Sequence, residues 1–175
     1  MIQLRRITQS VDRDLQLSLS LYREAFPEEE RRSEDQLLRL VDEKEEMVFN
    51  AVETEEGLAG LFVYWEFEDF YYLEHLAIYP ELRNRKIGQQ LLEYVRNCFK
   101  SACALEVEPP FNEMAERRIA YYRRNGFEVL EKEYEQPSYD GIKRGIPLWI
   151  MSNCRDMALV KAIDIIREEV YRKNY

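Results

Sequence analysis

Apolar residues recur along this chain with two periods, and the switches between them mark its elements. Ile2–Thr8 alternates apolar and polar positions, as a half-buried strand does. Leu15, Leu19, Tyr22 and Phe26 then follow helical spacing, with Ser10 or Asp12 available as the N-cap. Pro27 and the run Glu28-Glu29-Glu30-Arg31-Arg32 end that helix. A second helix is predicted after Ser33, with Leu37, Leu38 and Val41 turned inward. Met47–Val52 and Leu58–Phe67 read as two strands joined at Glu55-Glu56-Gly57, a hairpin. Tyr71–Ile78 is a fourth strand, and Ile87, Leu91, Leu92, Val95 and Phe99 stripe the next helix. The strand Ala102–Glu108 stops at Pro109-Pro110. A helix runs from the cap Asn112 to about Asn125 and closes at Gly126. Phe127–Tyr134 and Ile146–Met151 complete the strands.

Seven strands mixed with helices predict an α/β or α+β fold, one domain over residues 1–175 with its core in 1–153. Residues 154–175 lie outside that core. From Asp156 to Arg172 they form an amphipathic helix, with Leu159, Ala162, Ile165, Ile166 and Val170 on one side. A lone helix of this length is marginal in water. The stripe is therefore expected to dock on its own domain or on a second subunit, which would make a homodimer.

The segment between the fourth strand and the following helix carries the clearest chemistry. It runs through Tyr79, Pro80, Glu81, Leu82, Arg83, Asn84, Arg85, Lys86, Ile87, Gly88 and Gln89. The first amides of a helix have no intrahelical acceptor, and the dipole places partial positive charge there. Arg83, Arg85 and Lys86 add full charges, and Gly88 permits close backbone approach. Together they predict an anion site suited to a phosphorylated ligand.

Composition sharpens this. The net charge is −9, so the basic loop stands on an acidic background. Nonspecific nucleic-acid binding is disfavoured and a cationic partner favoured. With 46% apolar residues the chain is not a disordered one. No apolar run approaches a membrane span, and with charged residues near Met1 no secretory signal is expected. Cys98, Cys103 and Cys154 lack paired spacing and read as reduced thiols, so a cytoplasmic location is expected. A single histidine and scattered cysteines predict no metal site.

Leu76-Ala77-Ile78-Tyr79-Pro80 followed by Arg83-Asn84-Arg85-Lys86-Ile87-Gly88 resembles the acyl-CoA signature of the GNAT superfamily of N-acetyltransferases. That pattern is a strand with Leu-Ala-Val-x-Pro, then Arg/Gln-x-x-Gly-x-Gly/Ala opening a helix. Lys86 stands where the family has its first glycine; its side chain could crowd the pyrophosphate or grip it. Tyr121-Tyr122-Arg123-Arg124-Asn125-Gly126-Phe127 resembles a second motif, (Leu/Phe)-Tyr-x-x-x-Gly-Phe, and Leu105-Glu106-Val107 the strand before it. The connection from Asn112 to Tyr122 is about three residues longer than in many relatives.

The resemblance implies a GNAT-like domain with a mixed, mostly antiparallel sheet and acetyl-CoA as donor. Leu76, Ala77 and Ile78 would hold the pantetheine arm and thioester, and Arg83, Asn84, Arg85, Lys86, Ile87, Gly88 and Gln89 the pyrophosphate. The acceptor would be a primary amine of a small molecule or peptide, attacking the thioester directly. Tyr122 is the expected general acid toward the sulfur. Two carboxylates compete as general base, Glu106 and Glu74, with Tyr72 on the same strand face as Glu74. His75 faces the other way. Glu28-Glu29-Glu30 and Glu66, Glu68 and Asp69 would border the acceptor. The alternative is a CoA-binding sensor or assembly module without catalysis.

Overall fold

The computed structural model describes all of residues 1–175. Its strands are β1 (Gln3–Ile7), β2 (Met47–Thr54), β3 (Gly57–Glu66), β4 (Phe70–Ile78), β5 (Ala102–Val107), β6 (Glu128–Gln136) and β7 (Ile146–Ser152). They form one sheet in the order β1-β2-β3-β4-β5-β7-β6. Pairing is antiparallel except for β4 with β5, which run parallel over Phe70–Leu73 against Ala102–Leu105. The helices are α1 (Arg13–Ala25), α2 (Glu34–Glu43), α3 (Ile87–Cys98), α4 (Glu113–Arg124) and α5 (Leu159–Ile165). This is the α/β arrangement that the sequence pattern predicts.

Contacts group the chain into two compact units, with the boundary inside β4. The first comprises Met1–Glu66 and Glu74–Cys98. Here Asp12 caps α1 by accepting from the Asp14 and Leu15 amides, and Ser33 caps α2 through Gln36. Every residue of Met47–Val52 is buried, which explains why all of them but Asn50 are apolar. Its one amide side chain, Asn50, donates Nδ2 to the Phe62 carbonyl at 3.3 Å. Gly60 on β3 lies against the end of β4. A Cβ there would sit 2.1 Å from the Ala77 oxygen, so only glycine allows this approach. The Tyr79 amide adds a bond to the Ala59 carbonyl at 3.0 Å.

The second unit comprises Phe67–Leu73 and Phe99–Tyr175. Its core includes Tyr134, Leu148 and Ile150, with Leu159 and Ile163 of α5 packed on them. The tail therefore docks within its own unit. It is not a uniform α-helix as its stripe predicts: α5 gives way to a π-helical turn over Ile166–Tyr171. The Arg172 amide reaches the carbonyls of Arg167 and Glu168. Ile166, Val170 and Tyr171 are buried by this winding, and the Asn174 amide closes the end on the Glu169 carbonyl at 2.5 Å.

Candidate active site

In the first unit, β4 ends at Ile78 and Pro80 opens a single 3₁₀ turn over Pro80–Leu82. The Leu82 amide donates to Tyr79 and the Arg83 amide to Pro80. Arg83 then folds back, its Nε donating to the Ile78 carbonyl at 3.1 Å, which ties the loop to the strand end. Asn84 and Lys86 follow in the left-handed region, at φ 65° and 61°. Asparagine tolerates that conformation; for lysine it costs about 1–2 kcal/mol. Lys86 is thus held where a glycine is the relaxed choice, which gives a backbone reason for the glycine it replaces. Its side chain is exposed. The amide-to-carbonyl ladder of α3 includes Gln90 to Lys86, so the amides of Ile87, Gly88 and Gln89 precede it. Arg85 pairs with the exposed Glu56 at 2.8 Å. Two of the three basic side chains therefore have partners within the chain: Arg83 on the Ile78 carbonyl and Arg85 on Glu56.

Glu74, one of the two carboxylates expected as base, is fully buried in this unit. Arg32, equally buried, forms an ion pair with its Oε1, and the Trp65 Nε1 donates to Oε2 at 2.8 Å. Burial by itself would raise the Glu74 pKa. Arg32, His75 and the indole hydrogen bond outweigh it and hold the carboxyl below its ordinary range. His75, on the other strand face, lies 4.2 Å from the Phe26 ring and 5.1 Å from the Tyr22 ring, and contacts the Glu30 carbonyl at 3.0 Å. Burial keeps its imidazole below its usual pKa, so it is neutral at pH 7.

The second unit holds Glu106 and Tyr122. Glu106 is half-buried on β5, and both its oxygens accept phenolic protons. Tyr134 of β6 donates to Oε1 at 2.5 Å and Tyr171 of the tail to Oε2 at 2.8 Å. The Tyr171 oxygen lies 3.1 Å from the Tyr72 hydroxyl. Burial and the neighbouring carboxylate push the Tyr134 and Tyr171 hydroxyls well above their usual range, so both stay protonated. Tyr72, expected on the strand face of Glu74, joins the Glu106 cluster through Tyr171.

Tyr122 lies in the last turn of α4, half-buried, its ring 5.8 Å from that of Phe127. Burial raises its hydroxyl pKa, with Arg118 pulling the other way, so it is protonated at neutral pH. Asn112 is the N-cap, accepting from the Ala115 amide at 2.9 Å. At the other end Gly126, at φ 89°, donates to Arg123, and the Phe127 amide donates to the Tyr122 carbonyl at 3.1 Å. The spacing of tyrosine, glycine and phenylalanine is thus also the spacing of a glycine-closed helix end.

Sequence reasoning missed Arg32, Trp65, Tyr134, Tyr171 and Gly60. All but Trp65, nine residues from Glu74, meet their partners far along the chain, and only the glycine within a strand pattern carried a signal, close approach of another backbone.

A family model for the acetyltransferase (GNAT) domain matches residues 44–129. The match spans the hairpin, the β4–α3 turn and both downstream motifs. A solved GNAT-family acetyltransferase from Bacteroides thetaiotaomicron superposes with a TM-score of 0.90 at 32% identity, covering 97% of this chain and 98% of that one. The chain is a member of the GNAT acetyltransferase family. More distant GNAT-like structures share the fold. The ribosomal-protein-S18-alanine N-acetyltransferase of Escherichia coli gives a TM-score of 0.57 at 19% identity, covering 87% and 92% of the two chains. The PaiA N-acetyltransferase of Thermoplasma acidophilum, in complex with coenzyme A, gives 0.58 at 21%, covering 87% and 98%. No functionally curated protein matches in sequence. No helix of this GNAT protein is long and apolar enough to cross a membrane.

Proposed function

We propose that this GNAT protein transfers an acetyl group from acetyl-CoA to a primary amine by direct attack. The observation that carries the reading is the β4–α3 turn, where a strand end, two left-handed residues and a helix start follow one another and the first amides of α3 precede its ladder. Such a cradle fits a pyrophosphate. Leu76, Ala77 and Ile78 would bind the pantetheine arm, and Arg83, Asn84, Arg85, Lys86, Ile87, Gly88 and Gln89 the phosphates.

In the proposed reaction the ammonium of the acceptor first gives one proton to Glu106. The nitrogen lone pair then attacks the thioester carbon, and the carbon–sulfur bond breaks. Tyr122 passes its hydroxyl proton to the departing sulfur. The second nitrogen proton leaves to solvent as the tyrosinate is reprotonated, leaving an amide and free CoA. Holding both substrates in register supplies a large part of the rate. Glu106 is preferred to Glu74 as the proton acceptor. Glu74 is neutralised by a buried guanidinium, and protonating it would strand that charge.

The acidic composition favours a cationic acceptor. Calorimetric titration with acetyl-CoA, then free-thiol release over a panel of amines, tests the proposal. The panel should include an alanine-terminated peptide, a polyamine and an aminoglycoside, the amine classes in the names of structurally similar enzymes. Micromolar binding with thiol release on at least one amine is expected. Binding without release on any of them would favour a non-catalytic CoA-binding module.

A further inference from the structure

Glu106 is held by the tail of the chain. Its Oε2 receives the Tyr171 proton at 2.8 Å, and Tyr171 lies in the π-helical turn beyond α5. A phenol has one proton to give. With that proton committed to Glu106, the Tyr171 oxygen accepts from Tyr72, so the order of donation is Tyr72 to Tyr171 to Glu106. Tyr134 supplies the second donor, on the other carboxylate oxygen. Tyr171 and Tyr72 are 1% exposed and Tyr134 2%, while Glu106 alone in the cluster is only half-buried. The cluster therefore presents one carboxylate outward and fixes it from behind.

Much of the tail serves this placement. Leu159 and Ile163 pack on Tyr134, Leu148 and Ile150. Ile166 and Val170 are fully buried, and the Tyr139 ring stands 4.9 Å from that of Tyr171. Arg167 lies over the Tyr134 ring at 5.3 Å. Asn174 pins the end of the turn on the carbonyls of Glu169 and Val170.

We propose that Tyr171 is a positioning residue: its hydroxyl orients Glu106 and keeps it ionised to receive the proton of the acceptor amine. The inference rests on the reading of Glu106 as proton acceptor, and makes the C-terminal helix part of the active site. A carboxylate that accepts two hydroxyl protons is stabilised in its charged form. Losing one donor frees the carboxylate to rotate and makes it easier to protonate. Tyr134 from β6 and Tyr171 from the tail both face it. Tyr72 and Tyr139 lie behind Tyr171, and Arg167 behind Tyr134.

The test uses the full chain labelled with ¹³C at the glutamate carboxyl carbons. The Glu106 signal is identified by its loss in Glu106→Gln, and its titration is followed in wild type, Tyr171→Phe and the matched Tyr134→Phe. Tyr175→Phe, an exposed tail tyrosine, is the control. In Tyr171→Phe the Glu106 titration should move upward by on the order of one pH unit, and Tyr175→Phe should leave it in place. On an amine that the wild type acetylates, Tyr171→Phe should lower kcat on the order of 10-fold, without changing KM for acetyl-CoA. The acid limb of its rate profile should move with the Glu106 titration. An unmoved Glu106 titration overturns the inference, as does a lowered melting temperature with an unmoved profile. If the wild type acetylates no amine, the functional reading fails. The carboxyl titration still tells whether Tyr171 governs Glu106.

Discussion

Arg32 and Glu74 meet as a fully buried ion pair, one from the segment between α1 and α2 and the other from β4. Removing one partner of such a pair leaves the other charge buried, at a cost of about 3–5 kcal/mol. Arg32→Met and Glu74→Gln are therefore both expected to lower the melting temperature by roughly 6–20 °C, the scale for a chain of this size. The pH dependence follows from the direction of the Glu74 shift. Its folded pKa lies below the ordinary 4.5, so its contribution to stability is complete above that value. It is lost as pH falls through the lower, folded value. Denaturant melts from pH 6 to pH 3 should show wild type losing stability in that acid window and Glu74→Gln losing less.

Gly60 has no room for a side chain against Ala77. Gly60→Ala should push the end of β4 away from β3, destabilising the fold by about 1–3 kcal/mol, the usual cost of overpacking. Because Ala77 belongs to the proposed thioester strand, acetyl-CoA affinity should fall as well. Thermal melts and calorimetric titration measure the two effects. A stable variant with full affinity would show that the strand end is not held by this contact.

Lys86 separates backbone strain from side-chain charge. Lys86→Gly should stabilise the fold by about 1 kcal/mol by relieving a left-handed lysine. Lys86→Glu should weaken acetyl-CoA by about 1–3 kcal/mol if the ammonium contacts a phosphate. Lys100→Glu, an exposed lysine beyond α3, is the control and should change affinity little. Affinity that rises in Lys86→Gly would mean that the lysine crowds the donor instead.

Tyr121 and Tyr122 should respond in opposite ways. Tyr122→Phe should lower turnover on the order of 10²-fold, the low end for loss of a general acid, with little change in melting temperature. The Tyr121 hydroxyl is buried without a hydrogen-bond partner. Tyr121→Phe should therefore keep activity and raise stability by about 1 kcal/mol, the lower part of the range for an unsatisfied buried group. Paired melts and thiol-release assays distinguish the two tyrosines.

How far the sequence reached depended on the distance over which its signals act. The strands, the β2–β3 hairpin and the caps Asp12, Ser33 and Asn112 were legible, because period and cap chemistry operate within a few residues. The β4–α3 turn was legible for the same reason. The surroundings of the two carboxylates were not. Glu74 takes Arg32 from 42 residues upstream, and Glu106 takes Tyr171 from 65 residues downstream. No local pattern distinguishes a strand glutamate held by tyrosines from one held by arginine. The tail stripe foretold a helix, and burial of Ile166 and Val170 agrees with it. The pattern carried no sign of the switch to π winding within it.

That switch makes the aim of Tyr171 a matter of counting. A π turn accommodates one residue more than an α turn over the same stretch, so everything after it is rotated by about 100° relative to an uninterrupted helix. Deleting a single residue from Ile166–Val170 would let the tail relax to α geometry and swing the phenol off the carboxylate. No apolar side chain on the stripe before it need change. Chain length is thus a second variable, beside the identity of residue 171, on which the hold on Glu106 depends.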